Sequence, residues 1–224
     1  MTESIVAQEP VRFSTADGVS LEGEVRRPAD GPARGGAVLC HPHPKEGGSK
    51  DHPLLWALRS DLSRRGFAVL SFNFRGVMGS SGTYGGGHAE LHDARAAIDR
   101  VRTETDGGTL LVGWSFGANV ALRLAVDDTR IAGLAAIGLP LGTRRVRLPP
   151  LPDPPALRGL RAPVLLLAGE HDIFCPSDEL RALGAQLRDA RVEITPGTDH
   201  YYWRREPIAA EQVGAFASTV VLSD

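Results

Sequence analysis

Short, compact apolar runs alternate with longer amphipathic stretches over most of this chain. Two short strands are predicted first, near Val11–Ser14 and Leu21–Val25, with Ala16-Asp17-Gly18 as hairpin-turn material between them. Gly35-Gly36 leads into Ala37-Val38-Leu39-Cys40, which reads as a buried strand. A helix is predicted from about Asp51 to Arg65, with Pro53 in its first turn and Gly66 as its stop. Phe67–Phe72 reads as a strand. In Glu90–Glu104, Leu91, Ala94, Ala97, Ile98 and Val101 fall on one helical face. Leu110–Trp114 then reads as strand and Phe116–Val126 as helix. Three further strands are predicted at Ile131–Ile137, Val164–Ala168 and Val192–Thr195, and helices at Ser177–Leu187 and Pro207–Thr219. Strand–helix alternation of this kind implies an α/β fold, a mostly parallel sheet with helices on both faces. Ligands of such sheets gather beyond the C-terminal strand ends, so the loops just after strands are where chemistry is expected.

One of those loops carries a recognisable pattern. Gly113-Trp114-Ser115-Phe116-Gly117 reads G-x-S-x-G and lies between a predicted strand and a predicted helix, the context that lifts a serine hydroxyl above a sheet edge. A serine needs a base, and the base needs an orienting group. The loop after Val164–Ala168 supplies Asp172 and the loop after Val192–Thr195 supplies His200, in the chain order serine, acid, histidine. Glu170 and Asp178 compete with Asp172 for the acid role, and the sequence leaves that choice open. His41, His43, His52, His88, His92 and His171 do not follow the final strand, so His200 is preferred. An oxyanion needs two donors. The amide of Phe116 would be one. In His41-Pro42-His43-Pro44 the prolines have no amide hydrogen, which leaves His43 as the second. A metal site on His41 and His43 is disfavoured, because no carboxylate or cysteine cluster accompanies them at a metal-like spacing. The chemistry requires no cofactor.

Bulk properties narrow the class. The chain has 224 residues, 42% hydrophobic and 23% charged, with a net charge of −2. These values fit a globular protein, expected as one domain over residues 1–224, and lack the basic footprint of a nucleic-acid binder. No apolar run is long enough to span a bilayer. Met1-Thr2-Glu3-Ser4 lacks the character of a secretory signal, and two cysteines, Cys40 and Cys175, argue against a disulfide framework. A cytoplasmic location is therefore expected, with a small-molecule ester or acyl substrate as partner and a homodimer left open.

The motif around Ser115, the acid in Gly169-Glu170-His171-Asp172 and the histidine in Gly197-Thr198-Asp199-His200 resemble the α/β-hydrolase superfamily. Leu39-Cys40-His41-Pro42-His43-Pro44 with Gly47-Gly48, and Phe72-Asn73-Phe74-Arg75-Gly76 with Ser80-Ser81-Gly82, are similar to small, lidless bacterial serine hydrolases related to the dienelactone hydrolase group. The resemblance implies an eight-stranded sheet without a large cap domain. It also implies Ser115, Asp172 and His200 as a triad, with His43 and Phe116 at the oxyanion hole. Dienelactone hydrolases proper use a cysteine nucleophile, where this chain has Ser115. Met78 replaces a usual small residue and is expected to narrow the pocket, with Arg75–Gly79 as one wall. The stretch Leu139–Ala162, rich in proline, is expected to form a loop or a brief helix but no cap. Its Arg144, Arg145 and Arg147 are expected to form a solvated basic loop, with attraction of an anionic group as the other reading. Trp114, Phe116, Tyr201, Tyr202 and Trp203 flank the proposed site.

Overall fold

A computed structural model describes residues 8–142 and 147–222; Met1–Ser4, Arg144 and Arg145 lie outside the described residues. Among the described residues eight strands form one sheet: β1 (Gln8–Ser14), β2 (Ser20–Arg26), β3 (Gly35–Cys40), β4 (Phe67–Phe72), β5 (Thr109–Trp114), β6 (Ile131–Ile137), β7 (Val164–Gly169) and β8 (Ala190–Thr195). The spatial order is β1-β2-β4-β3-β5-β6-β7-β8. β2 runs antiparallel to both of its neighbours, and every other pairing is parallel. The helices are α1 (Pro53–Arg64), α2 (Glu90–Val101), α3 (Phe116–Ala125), α4 (Pro154–Gly159), α5 (Ser177–Gly184) and α6 (Glu206–Val220).

Strand periodicity divides the apolar residues between two faces. Val38 and Cys40 of β3, with Leu166 and Ala168 of β7, join a core built with α2, α3 and α5. Ala37 and Leu39, with Leu165 and Leu167, join a second core against α1 and α6. Because β3, β5 and β7 are buried along their whole length, they read as unbroken apolar runs. The sheet order reverses between β3 and β5. β4 lies on one side of β3, and the chain then crosses back to place β5 on the other. The loops after β3 and β5 therefore flank the switch-point crevice, where open α/β sheets hold ligands.

The observed edges differ from the predicted ones where side chains are polar. β1 begins at Gln8 rather than Val11 and β8 at Ala190 rather than Val192. Both are sheet edges whose positions are mostly exposed or half-buried, which weakens the apolar signal. α2 stops at Val101, short of Glu104, where the Thr103 hydroxyl donates to the Arg100 carbonyl and Glu104 pairs with Arg27 and Arg100. α5 stops at Gly184, and turn hydrogen bonds carry the chain on to Leu187. Between β6 and β7 the described residues form one six-residue helix, α4, capped by the Asp153 carboxylate on the Ala156 amide. No helix among the described residues is long and apolar enough to cross a membrane.

Candidate active site

Ser115 sits between β5 and α3 with φ 56° and ψ −116°. This conformation is sparsely populated by L-residues and typically costs about 1–3 kcal/mol. It is held from both sides. The Ser115 amide donates to the Ile137 carbonyl of β6 at 2.8 Å, and the Ala118 and Asn119 amides bond back to the Ser115 carbonyl. The flanking glycines make the turn possible by close approach. A Cβ on Gly113 would lie 2.2 Å from the Gly117 carbonyl oxygen, and one on Gly117 would lie 2.2 Å from that of Cys40.

Asp172 follows β7 and His200 follows β8. The two Asp172 oxygens have separate partners. Oδ1 accepts from the amides of Phe174 and Cys175 at 2.9 and 3.0 Å, and Oδ2 lies 2.8 Å from His200 Nδ1. A carboxylate can only accept, so Nδ1 carries the hydrogen, which in the neutral imidazole leaves Nε2 bare. Nε2 lies 3.0 Å from Ser115 Oγ. One hydroxyl, one imidazole and one carboxylate thus form a continuous hydrogen-bonded chain. His200 and Asp172 are buried, while Ser115 is partly open. The competing carboxylates lie elsewhere: Glu170 accepts from the Gly197 amide on the surface, and Asp178 occupies the exposed first turn of α5.

Two features behind this chain were not read from the sequence. Gly138, just past β6, has φ 54°, and a Cβ there would lie 3.0 Å from His200 Nδ1 and 3.1 Å from Asp172 Oδ2. Trp114, the residue before the serine, donates from Nε1 to the His200 carbonyl at 3.1 Å. The buried indole therefore ties the end of β5 to the loop after β8. Gly138 carries no motif, and the Trp114 bond spans 86 positions, so neither had a local signal.

The loop after β3 turns at a short 3₁₀ segment, Pro44–Glu46, which His43 caps by accepting from the Lys45 amide on Nδ1. His43 Nε2 lies 3.2 Å from Tyr84 Oη. His41 is wholly buried. It accepts from the Phe74 amide on Nε2 and donates from Nδ1 to the Pro42 carbonyl, which fixes one neutral tautomer. Burial lowers its pKa to about 4. Both ring nitrogens are thus engaged in shaping the loop. Among the described residues no group of three or more His, Cys, Asp or Glu is arranged to hold a metal. Phe116 is the first residue of α3, where a helix leaves its amides without intrahelical partners.

His43, Ser115, Phe116 and His200 all line one open cleft of about 840 Å³. Tyr84 and Phe174, which the motifs did not point to, line it too, as does Arg147. The expectation for Met78 is corrected: its side chain is 76% exposed and is not part of the cleft lining. Nor does Arg75–Gly79 form a wall. Arg75 is buried between Asp93 and Asp17, and the Arg12 guanidinium holds the Gly79 carbonyl, drawing this loop toward the β1–β2 hairpin. Of the aromatic cluster, Trp114, Phe116 and Tyr201 reach the cleft, Tyr202 is buried in the core under α6, and Trp203 is exposed.

Residues 37–220 match the family described as Alpha/beta hydrolase domain. A curated but uncharacterized protein of Rickettsia prowazekii is 29% identical over 174 residues, 74% of this chain and 71% of its own. A Mycobacterium tuberculosis relative, also uncharacterized, is 28% identical over 210 residues, 87% of this chain and 73% of its own. Among solved structures, a Xanthomonas campestris serine hydrolase without a lid superposes with a TM-score of 0.79 at 24% identity, covering 97% of this chain and 96% of that one. A Coxiella burnetii serine hydrolase homologue gives 0.81 at 24% identity, with 96% and 99% covered. A Pyrococcus furiosus esterase gives 0.81 at 19%, with 96% and 92% covered. The match over residues 37–220, together with the eight-stranded sheet and its serine turn, makes this chain a member of the α/β-hydrolase family.

Proposed function

We propose that the protein is a serine hydrolase that cleaves carboxylic ester or thioester bonds. The observation that carries this reading is the unbroken path from Asp172 Oδ2 to His200 at 2.8 Å and from His200 to Ser115 Oγ at 3.0 Å. Ser115 attacks the carbonyl carbon as His200 Nε2 takes its proton. Asp172 holds the imidazole in the tautomer that leaves Nε2 bare and stabilises the imidazolium that forms. The tetrahedral oxyanion is bound by the amides of His43 and Phe116; loss of one such donor typically costs about 3–4 kcal/mol of transition-state stabilisation. His200 then returns the proton to the leaving oxygen or sulfur, giving an acyl-serine. Water, activated by the same imidazole, releases the acid and restores Ser115. The open cleft and the short β6–β7 connection favour accessible, small substrates.

A fluorophosphonate tests the nucleophile directly. Intact protein is expected to gain one adduct, visible by mass spectrometry, and Ser115→Ala none. Labelling that persists in the variant places the nucleophile elsewhere. Turnover of p-nitrophenyl esters, compared with matching anilides, separates an esterase from an amidase. Protein that neither labels nor turns over any activated ester overturns the hydrolase reading in favour of a binding role.

A further inference from the structure

Tyr84 stands in the cleft beside the two residues to which the oxyanion hole is assigned. Its ring centroid is 5.3 Å from that of His43 and 5.8 Å from that of Phe116. The hydrogens around it can be placed by elimination. His43 Nδ1 accepts from the Lys45 amide, so a neutral His43 carries its hydrogen on Nε2. Burial lowers the pKa of His43, which favours that neutral form. Nε2–H therefore donates to Tyr84 Oη across 3.2 Å. The phenol is an acceptor in this contact, and its own hydrogen must point elsewhere. Among the described residues no other group is hydrogen-bonded to Oη. Burial and the nearby Glu90 raise the Tyr84 pKa, so the phenol keeps that hydrogen.

The side of the substrate that Tyr84 faces follows from the proton path. His200 must reach the leaving atom, so the leaving group lies on the His200 side, near Phe174 and Tyr201, whose rings pack on that imidazole and line the cleft. Tyr84 packs instead against His43 and Phe116, outside that ring cluster, on the side of the cleft left for the acyl part. Its position is fixed from below. The buried Glu90 carboxylate accepts from the amides of Gly85 and Gly87 at 2.7 and 2.8 Å, clamping the loop that follows Tyr84.

We infer that Tyr84 is a specificity-determining residue, donating its phenolic hydrogen to an oxygen carried on the acyl part of the substrate. The preferred substrates are then esters of oxygen-substituted acids rather than of plain alkyl acids. This assignment rests on the hydrolase reading above.

The test compares wild type with Tyr84→Phe, which keeps the ring and its packing. The substrates are p-nitrophenyl butyrate and p-nitrophenyl esters of methoxyacetic, 3-methoxypropionic and 4-oxopentanoic acid, which place an oxygen at successive positions. Comparing the same ester across variants cancels its intrinsic reactivity. For at least one oxygen-bearing ester, kcat/KM is expected to fall about tenfold further than for butyrate, as expected for one lost hydrogen bond. A loss equal on all four esters and matched by slower fluorophosphonate labelling overturns the assignment, because it means that Tyr84 acts only by holding His43. No loss on any ester overturns it as well. Wild-type protein inactive on every ester fails differently: it removes the hydrolase reading, and this assignment with it.

Discussion

Substituting Gly138 by alanine perturbs the candidate site without replacing any residue proposed to do chemistry. Gly138 has φ 54°, and an alanine held there typically costs about 1–2 kcal/mol of stability. For a chain of this size that corresponds to a fall in Tm of about 2–8 °C. The new methyl would also lie 3.0 Å from His200 Nδ1 and 3.1 Å from both Asp172 Oδ2 and His200 Cε1, where ordinary contact begins at 3.4 Å. The His200–Asp172 pair must yield by a few tenths of an ångström. That displacement passes to the 3.0 Å contact between Nε2 and Ser115 Oγ. Misplacement by about 1 Å costs on the order of a hundredfold in rate, so a shift of this size is expected to lower kcat roughly tenfold with little change in KM. Gly18→Ala is the control. Gly18 has φ 83° with nothing within 4 Å of the added carbon, so it carries the backbone penalty without the push. Steady-state kinetics on p-nitrophenyl butyrate and thermal melts of both variants decide the matter. Undiminished kcat in Gly138→Ala, or equal activity loss in Gly18→Ala, would refute the reasoning.

Asp172→Asn is expected to lower kcat on the order of 10³–10⁴-fold with the fold intact. Because Oδ1 is held by two amides, the new NH₂ faces His200 and donates to Nδ1, forcing the hydrogen onto Nε2; pre-steady-state acylation measures this, and a loss below tenfold contradicts it. Trp114→Phe removes the indole bond to the His200 carbonyl, with about 1–3 kcal/mol of lost stability for the buried acceptor. Its acylation rate should fall more than its KM rises, and unchanged acylation argues against a positioning role for Trp114. His41 is buried neutral with a pKa near 4, below the usual 6.5. The unfolded chain takes up a proton there before the folded one does, so the associated stability is present above about pH 6.5 and is lost as pH falls toward 4. The loss amounts to about 2–3 kcal/mol by pH 4.5. Urea melts of wild type and His41→Gln at pH 7 and 4.5 check this, and identical pH slopes count against it.

The chain's periodicity alone gave the α/β class, because strands buried on both faces are apolar throughout and need no distant partner to be recognised. β3, β5 and β7 were legible for this reason, whereas the outer parts of β1 and β8 were not, since edge strands have exposed positions that dilute the pattern. Ser115 could be nominated because its turn is local: strand, glycine, serine, glycine and helix lie in one unbroken stretch from Thr109 to Ala125. Asp172 and His200 could be nominated by their places after strands, but where the candidate carboxylates lie is visible only in the tertiary structure. Only there do Glu170 and Asp178 turn to the surface while Asp172 turns to His200.

What sequence could not supply were relations across the sheet. Met78 is expected in the pocket because it replaces a residue that is small in the family the chain resembles, yet β4 lies beyond β3, and Arg75 of its loop is tied by ion pairs to Asp17 and Asp93. Tyr84 lies further along the same loop and does reach the cleft. Gly138 and the Trp114 indole matter only because β6 and β5 bring them against a histidine far along the chain. Local sequence determines which segments become strands and where a strained turn can form. The order in which strands lie side by side decides which loops meet, because that order sets distances that no spacing along the chain encodes.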